Sequence, residues 1–494
     1  MPQTPPNDPP PLRPRNPSVR RLFGICLLVA VCGVMGVPAY YLYERFQGKR
    51  AWDAYAAEAK QRGVKLDLAE YLPPKITDAE NFASIPVFEA VFRASDHGQE
   101  SPNPFALPPR KTGEVPKLSN PNKQTPIDLT AWQKYFVEVK LLPSASDNAA
   151  VDVLKALDHF AEPLAQLHEA GMRKKCRFPV HYELGPGASL PHMALLQDAS
   201  KLYGLRIAAH LSLGSPGEAY ADWREGLRLS TAIIDEPSAI AGLVRIAVTV
   251  VMIDAVWDGL EAHRWLPAEL QKIESDLGAL DWLNDYVFMM GSERGEANLI
   301  TEMVIQRPHI LDDLFRKNDT VSNQLLSVYP VGWFYQSQVR MNHFFDEQVA
   351  RIDPTQRRLF SDRSVPSSPE NISDTSERIR CALFAVLAPV MEQMESKFVH
   401  AASFTDEARL ACALELSRMA HGHFPSSLAE LAPEFISEVP VEIVNGEPYH
   451  YRLTDDGSFV LYSVGTDLRD DGGAIDPKLS ASKQRDWVWR YPAK

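Results

Sequence analysis

Cysteine is scarce in this chain: five in 494 residues. Cys26 and Cys32 fall in an apolar stretch near the start, and Cys176, Cys381 and Cys412 are far apart. None makes a CxxC pair, which removes thiolate zinc and dithiol redox sites. Buried free thiols are the expectation. The sequence also lacks HExxH, a P-loop and GxGxxG. Ser463, in Tyr462-Ser463-Val464-Gly465, is not the elbow of a G-x-S-x-G hydrolase. Positive charge is short too, with 51 Lys and Arg against 64 Asp and Glu and a net charge of −13. Nucleic-acid binding needs concentrated cations to displace counterions, so no nucleic-acid partner is expected.

One run is both uncharged and mostly apolar, Leu22 to Tyr43. About 22 residues make a helix of ~33 Å, enough to cross ~30 Å of hydrocarbon. Arg13, Arg15, Arg20 and Arg21 precede it; Arg45, Lys49 and Arg50 follow, offset in part by Glu44. That bias favours an N-terminus on the cytoplasmic side and a body outside, anchored in the inner membrane. Tyr40, Tyr41 and Tyr43 would mark the outer interface. The alternative is a cleaved signal peptide, with Val37-Pro38-Ala39 imitating a cleavage site. Residues 1–21 read as a disordered, Pro-rich tail.

Proline is plentiful, at 39 residues. Residues 44–127 read as a juxtamembrane helix followed by a packed loop (65–92) and an extended surface linker from Ser101 to Pro126. Residues 128–360 carry helical periodicity. Leu196, Ala199, Tyr203, Ile207 and Leu211 recur at gaps of three and four. Gly214 stops that helix, and Ser215-Pro216-Gly217-Glu218 reads as a capping box that starts the next. Ala219, Trp223, Leu227 and Ile234 then share a face. This hairpin resembles a tetratricopeptide unit, without further copies at the ~34-residue period. Ser238 to Leu260 is apolar but interrupted by Arg245, Asp254 and Asp258, which predicts a buried helix and no second span. Residues 361–376 read as a second linker. In 377–494, a helix from Arg378 to about His400 is expected first. A second, capped by Thr405-Asp406-Glu407, should end near Gly422, with Leu410, Ala413, Leu416 and Ala420 facing its core.

The final stretch alternates as strands do: Tyr449, Tyr451, Leu453, then Val460, Tyr462, Val464, joined by Asp455-Asp456-Gly457. Together with Phe424-Pro425-Ser426-Ser427-Leu428 and the acidic end Asp467, Asp470-Asp471-Gly472-Gly473, this order resembles the C-terminal head of the major (G-type) pseudopilin of bacterial type II secretion. The resemblance covers about 70 residues. It implies a helix packed on a small sheet, and a calcium-binding loop to which Asp467, Asp470, Asp471 and Asp476 would contribute oxygens. An acidic, solvated turn without an ion is the other reading. Val441-Glu442-Ile443-Val444 departs from the family, where a Pro-x-Asp-Pro step is usual, and the span lacks the prepilin leader and its Glu. The whole arrangement resembles a group of uncharacterised bacterial single-pass membrane proteins that pair segments like 51–92 and 177–197 with such a tail.

Other clusters read more blandly. His421-Gly422-His423 lacks a third metal ligand at a recognisable spacing. Asp312-Asp313 has no base or nucleophile tied to it. Arg173, Lys174, Lys175 and Arg177 form a basic patch, either solvated and salt-bridged or in contact with anionic headgroups. The aromatic stretch 328–345 is either core or a partner groove. The expected fold is therefore mainly α, a membrane-anchored helical bundle ending in a small α+β pilin-like unit. The expected role is a non-enzymatic interaction or scaffold module touching the lipid bilayer through Leu22–Tyr43 and meeting envelope or secretion proteins. A hydrolase with a dispersed site and a pseudopilus assembly factor are the alternatives.

Overall fold

The computed structural model describes residues 17–110, 113–120, 125–307, 329–476, 478–479 and 484–491. The first sixteen residues of the Pro-rich tail and Asp312-Asp313 lie outside them. The protein is mainly helical, with a small sheet at the C-terminal end.

Helix α1 (Pro17–Gln61) runs without a break from the uncharged stretch into the juxtamembrane segment. Its N-terminal part is long and apolar enough to cross a membrane and is not buried by the protein. Leu22, Phe23, Val34 and Met35 all stand exposed. From Glu44 onward the helix turns one stripe inward. Glu44, Gly48, Tyr55 and Ala59 are buried at helical spacing, against α11 (Val331–Ala350). Tyr55 donates its hydroxyl to Asp346 at 2.9 Å, and Arg62 and Arg294 each reach the same carboxylate at 2.8 Å. Asp346 thus binds α1, α10 (Trp282–Gln306) and α11 together. The aromatic stretch 328–345 is largely core: Phe334, Phe344 and Phe345 are each at most 2% exposed.

The central bundle packs α6 (His192–Ser212), α7 (Pro216–Thr231), α8 (Ala239–Glu261) and α9 (Pro267–Gly278). All five stripe residues of α6 are buried, and Gly214 takes a left-handed conformation just beyond its end. Helix α7 starts at Pro216, but no capping box forms, because the Ser215 side chain accepts no backbone N–H. Ala219 and Trp223 are buried, whereas Ile234 lies past the end of α7 and is exposed. Helix α8 is half enclosed within the bundle, and its Arg245 is ion-paired to Asp285.

The two helices expected on either side of Thr405 are one, α13 (Ala382–His421). No Gly or Pro separates His400 from Thr405, so nothing stops the helix there. Thr405 Oγ1 donates to the Ala401 carbonyl at 2.7 Å and accepts from Trp282 Nε1 at 2.9 Å. Gly422, left-handed, ends it, and Ala420 points to solvent. The N-terminal half of α13 packs in the core of α10 and α11, the C-terminal half in that of α6–α9. The expected linker at 361–376 lies along α11. Arg340 donates to the Ser367 and Pro366 carbonyls, and Ile372 is buried.

The sheet is antiparallel, in the order β3 (His450–Leu453), β4 (Phe459–Ser463), β5 (Trp487–Arg490). The Asp455-Asp456-Gly457 hairpin pairs Leu453 with Phe459. Strand β4 is buried on both faces: α13 covers one, and the loop around Gly473 and Ile475 covers the other.

Candidate functional site

Two segments distant in sequence, 65–92 and 173–197, are stitched together. Asn81 donates from Nδ2 to the Arg177 carbonyl and accepts from the Arg177 N–H, both at 2.9 Å. Arg173 donates to the Asn81 and Ser84 carbonyls, Arg177 to that of Pro73, and Lys175 pairs with Glu80. The basic patch is therefore largely engaged in fastening this loop.

What the stitched segments enclose is a cavity of about 340 Å³, within the usual range for small-molecule sites. Its apolar wall includes Leu68, Ile300, Phe344, Phe345, Phe384 and Met391. The close approach of Leu68 depends on two glycines of α10. A Cβ on Gly291 would sit 2.4 Å from the Tyr71 hydroxyl, and one on Gly295 would sit 2.6 Å from Leu68 N. Only a bare backbone lets the turn Leu68–Tyr71 lie flat there.

On the opposite face of that helix, one turn apart, Glu293 and Glu296 point into the cavity. Glu293 accepts the N–H of Ala239, in the first turn of α8, where the helix dipole favours an anion. Burial nevertheless raises its pKa to about 8, with Glu296 adding to the rise. Glu296 is also raised by burial and has no hydrogen-bond or salt-bridge partner among the described residues. Among the described residues, no Lys, Arg or His lines the cavity. Arg294, between the two acids in sequence, faces away to Asp346.

A third polar wall comes from Tyr182, whose hydroxyl donates to Glu236 Oε1 at 2.6 Å. Glu236 Oε2 meets His192 Nε2 at 3.1 Å. His192 is fully buried against the rings of Phe178 and Phe92, with Nδ1 unpartnered. Burial and Glu236 together push the Tyr182 phenol up, so it stays a neutral donor.

Three of the four acids of the expected calcium loop close their own turns, and the fourth pairs with an arginine. Asp467 accepts from Arg469 N, and Asp476 from Lys478 N. Asp470 accepts from Gly472 N and the Tyr462 hydroxyl. Asp471 lies 3.5 Å from Arg485. The organiser is Asp486, fully buried, which accepts from Asp471 N and from Gly473 N at 2.8 Å. Among the described residues no three His, Cys, Asp or Glu side chains gather as a metal site. His421 and His423 stand 6.5 Å apart, ring to ring, each turned to its own neighbour.

The sequence reading missed Glu293, Glu296 and Glu236. The usable signal was Gly291-Ser292-Glu293-Arg294-Gly295-Glu296, two glycines four apart on one helix face with acids on the other. No protein-family model, no curated protein and no solved structure matches the chain.

Proposed function

We propose that this is a single-pass, non-enzymatic protein of the inner membrane whose extracytoplasmic body binds a small, mainly apolar molecule. Unburied apolar side chains such as Leu22, Phe23, Leu28, Val34 and Met35 support the anchor, since a run of this length and composition suits a bilayer core. The slight excess of arginine before the span supports a cytoplasmic N-terminus. The observation that carries the binding role is the cavity bearing Glu293 and Glu296. Its hydroxyls are committed: Ser238 caps α8 and Tyr182 donates to Glu236. Among the described lining residues, no serine or threonine hydroxyl is paired with a base. The likeness of the C-terminal unit to a pseudopilin head is the ground for proposing envelope or secretion proteins as partners of its surface.

The test titrates an apolar fluorescent dye into the full chain held in nanodiscs, with empty nanodiscs as blank. Saturable binding is expected, and Ala297→Trp, which fills the cavity, should abolish it while the fold melts cooperatively. Dye binding unchanged in that variant would reject the site. Protease added to intact spheroplasts should digest the body; protection would reject the topology. A hydrolase using the Glu293–Glu296 pair is the second reading. It requires turnover that Glu296→Gln removes.

A further inference from the structure

The charge of the cavity is unbalanced. Two carboxyl groups share one wall, the remaining wall is mostly hydrocarbon, and among the described residues no cationic side chain lines it. Several interior acids are matched by a base. Asp346 has Arg62 and Arg294, Asp406 has Arg357 and Arg409, and Asp285 has Arg245. Glu407 and Glu442, beneath the sheet, border no cavity of this kind and are raised by burial. An acid pair left without a base in a low-dielectric wall is costly unless a proton or an outside cation completes it. Space for that cation exists only on the cavity side, because Arg294 and Asp346 occupy the far side of α10.

We propose that the ligand is an amphiphilic amine, its ammonium group set between Glu293 and Glu296 and its hydrocarbon against Phe344, Phe345 and Phe384. This deepens the binding role proposed above and rests on it. Glu293 presents one oxygen to the Ala239 N–H, leaving the other for the ligand. Glu296 has both. An ammonium group carries three donors and no acceptor, which matches a wall that offers only acceptors once ionised. A carboxylate ligand would meet like charge there. An alcohol would satisfy one acceptor and leave the charge unbalanced.

The other groups facing the pair do not supply a counter-charge. Tyr182 is a neutral phenol turned to Glu236, α8 contributes a backbone N–H, and α11 and α13 contribute aromatic and thioether side chains. In the empty cavity a carboxyl retains a proton near neutrality, since burial raises both groups. On binding, the ammonium takes that proton's place and the proton leaves to solvent. Affinity for the amine must then rise with pH until the carboxyl ionises unaided, about 8 for Glu293.

The experiment is isothermal titration calorimetry of the full chain in nanodiscs with three water-soluble probes of one shape: cyclohexylmethylamine, cyclohexylmethanol and cyclohexanecarboxylate. Empty nanodiscs provide the blank. At about pH 8 the amine should bind roughly tenfold or more tighter than the alcohol, the carboxylate weakest. The amine's advantage should shrink toward pH 6. Glu296→Gln, which replaces a half-buried carboxyl without a partner among the described residues, should fold and should bring amine and alcohol level; Glu296→Asp should restore part of the gap. Equal binding of amine and alcohol by the unaltered protein, or an amine preference that survives Glu296→Gln, overturns the amine and leaves the cavity a binding site. Heat from none of the three probes overturns the binding role itself, and the amine with it.

Discussion

Gly332 lies flat against the main chain of Glu44: a Cβ on it would fall 2.0 Å from the Glu44 carbonyl oxygen. From the other side, a Cβ on Gly48 would fall 2.2 Å from the Gly332 carbonyl. The anchor helix and α11 therefore meet backbone to backbone where α1 leaves its apolar stretch. Further along, Tyr55 meets His343 and Asp346, so the two helices run side by side in the same direction. Gly332→Ala should force them apart at a cost of about 1–3 kcal/mol, as overpacking does. Gly36→Ala, where nothing lies within 4 Å, should cost far less. Thermal melts of both variants in nanodiscs check this; equal melting points would mean that α1 does not pack on the body.

A second prediction concerns the carboxyls beneath the sheet. Glu407, on α13, is fully buried and neither of its oxygens forms a well-aligned hydrogen bond, although the Ser463 backbone lies near. Glu442 is equally buried and accepts from Ser463 Oγ and Val464 N. Burial holds Glu407 far above the ordinary carboxylate range and lifts Glu442 to about 7. Both groups bind protons more tightly folded than unfolded. Their contribution is therefore complete below the unfolded value of about 4.3 and is lost as pH rises through the folded values. Each group contributes a slope of up to about −1.4 kcal/mol per pH unit within its window. Glu407→Gln should flatten the fall in stability between about pH 5 and 9 and raise the melting point at pH 8. Urea melts across that range decide it; an unaltered slope would refute the assignment.

Asp406 yields a third. Arg357 reaches both its oxygens, at 3.1 and 3.0 Å, while Tyr449 donates from the other side. Arg357 stands in the β1–β2 turn (Ile352–Asp353 to Arg358–Leu359) with φ of 50°, a conformation that suits glycine. The ion pair holds that strain in place. Asp406→Ala should cost about 1–3 kcal/mol, because it takes a buried acceptor from the Tyr449 hydroxyl while Arg357, half exposed, turns to water. Arg357→Gly should then be close to neutral in the Asp406→Ala background, since it relieves a left-handed backbone that the ion pair no longer holds. A double-mutant cycle with no coupling would refute the pairing.

Local chemistry made the readable parts readable. Gly214 and Gly422 end helices because nothing bulkier takes a left-handed φ cheaply, and Asp455-Asp456-Gly457 makes a hairpin by itself. The stripe Leu196 to Leu211 declares a buried helix face at any distance. What failed depended on partners far away in the chain. Thr405-Asp406-Glu407 has the composition of a helix start, but Trp282, Arg357 and the sheet bury it in mid-helix. Strand β5 was missed although Trp487, Trp489 and Tyr491 alternate, because Trp487 and Trp489 are both buried by different layers. The cavity was illegible for the same reason: Glu293 and Glu296 look like ordinary surface acids until Tyr182, Phe344 and Phe384 close around them.

The last prediction separates the acidic loop from an ion. Asp486 accepts N–H groups from Asp471 and Gly473, and Gly473 lies against Tyr462 and Val460 of β4. The loop is thus clasped by a buried carboxylate of the protein itself. Asp467, Asp470 and Asp476 close short turns at separate points along it. A calcium ion needs six to eight oxygens at ~2.3–2.6 Å from one centre, and these acids are not so gathered. Asp486→Ala should therefore unclasp the loop, costing about 1–3 kcal/mol and speeding hydrogen exchange at the Asp471 and Gly473 amides. A calcium chelator added to the unaltered protein should leave the melting point and those exchange rates where they were. If the chelator instead reproduces the exchange pattern of Asp486→Ala, an ion shared by Asp467, Asp470, Asp471 and Asp476 holds the loop, and the carboxylate of Asp486 is secondary to it.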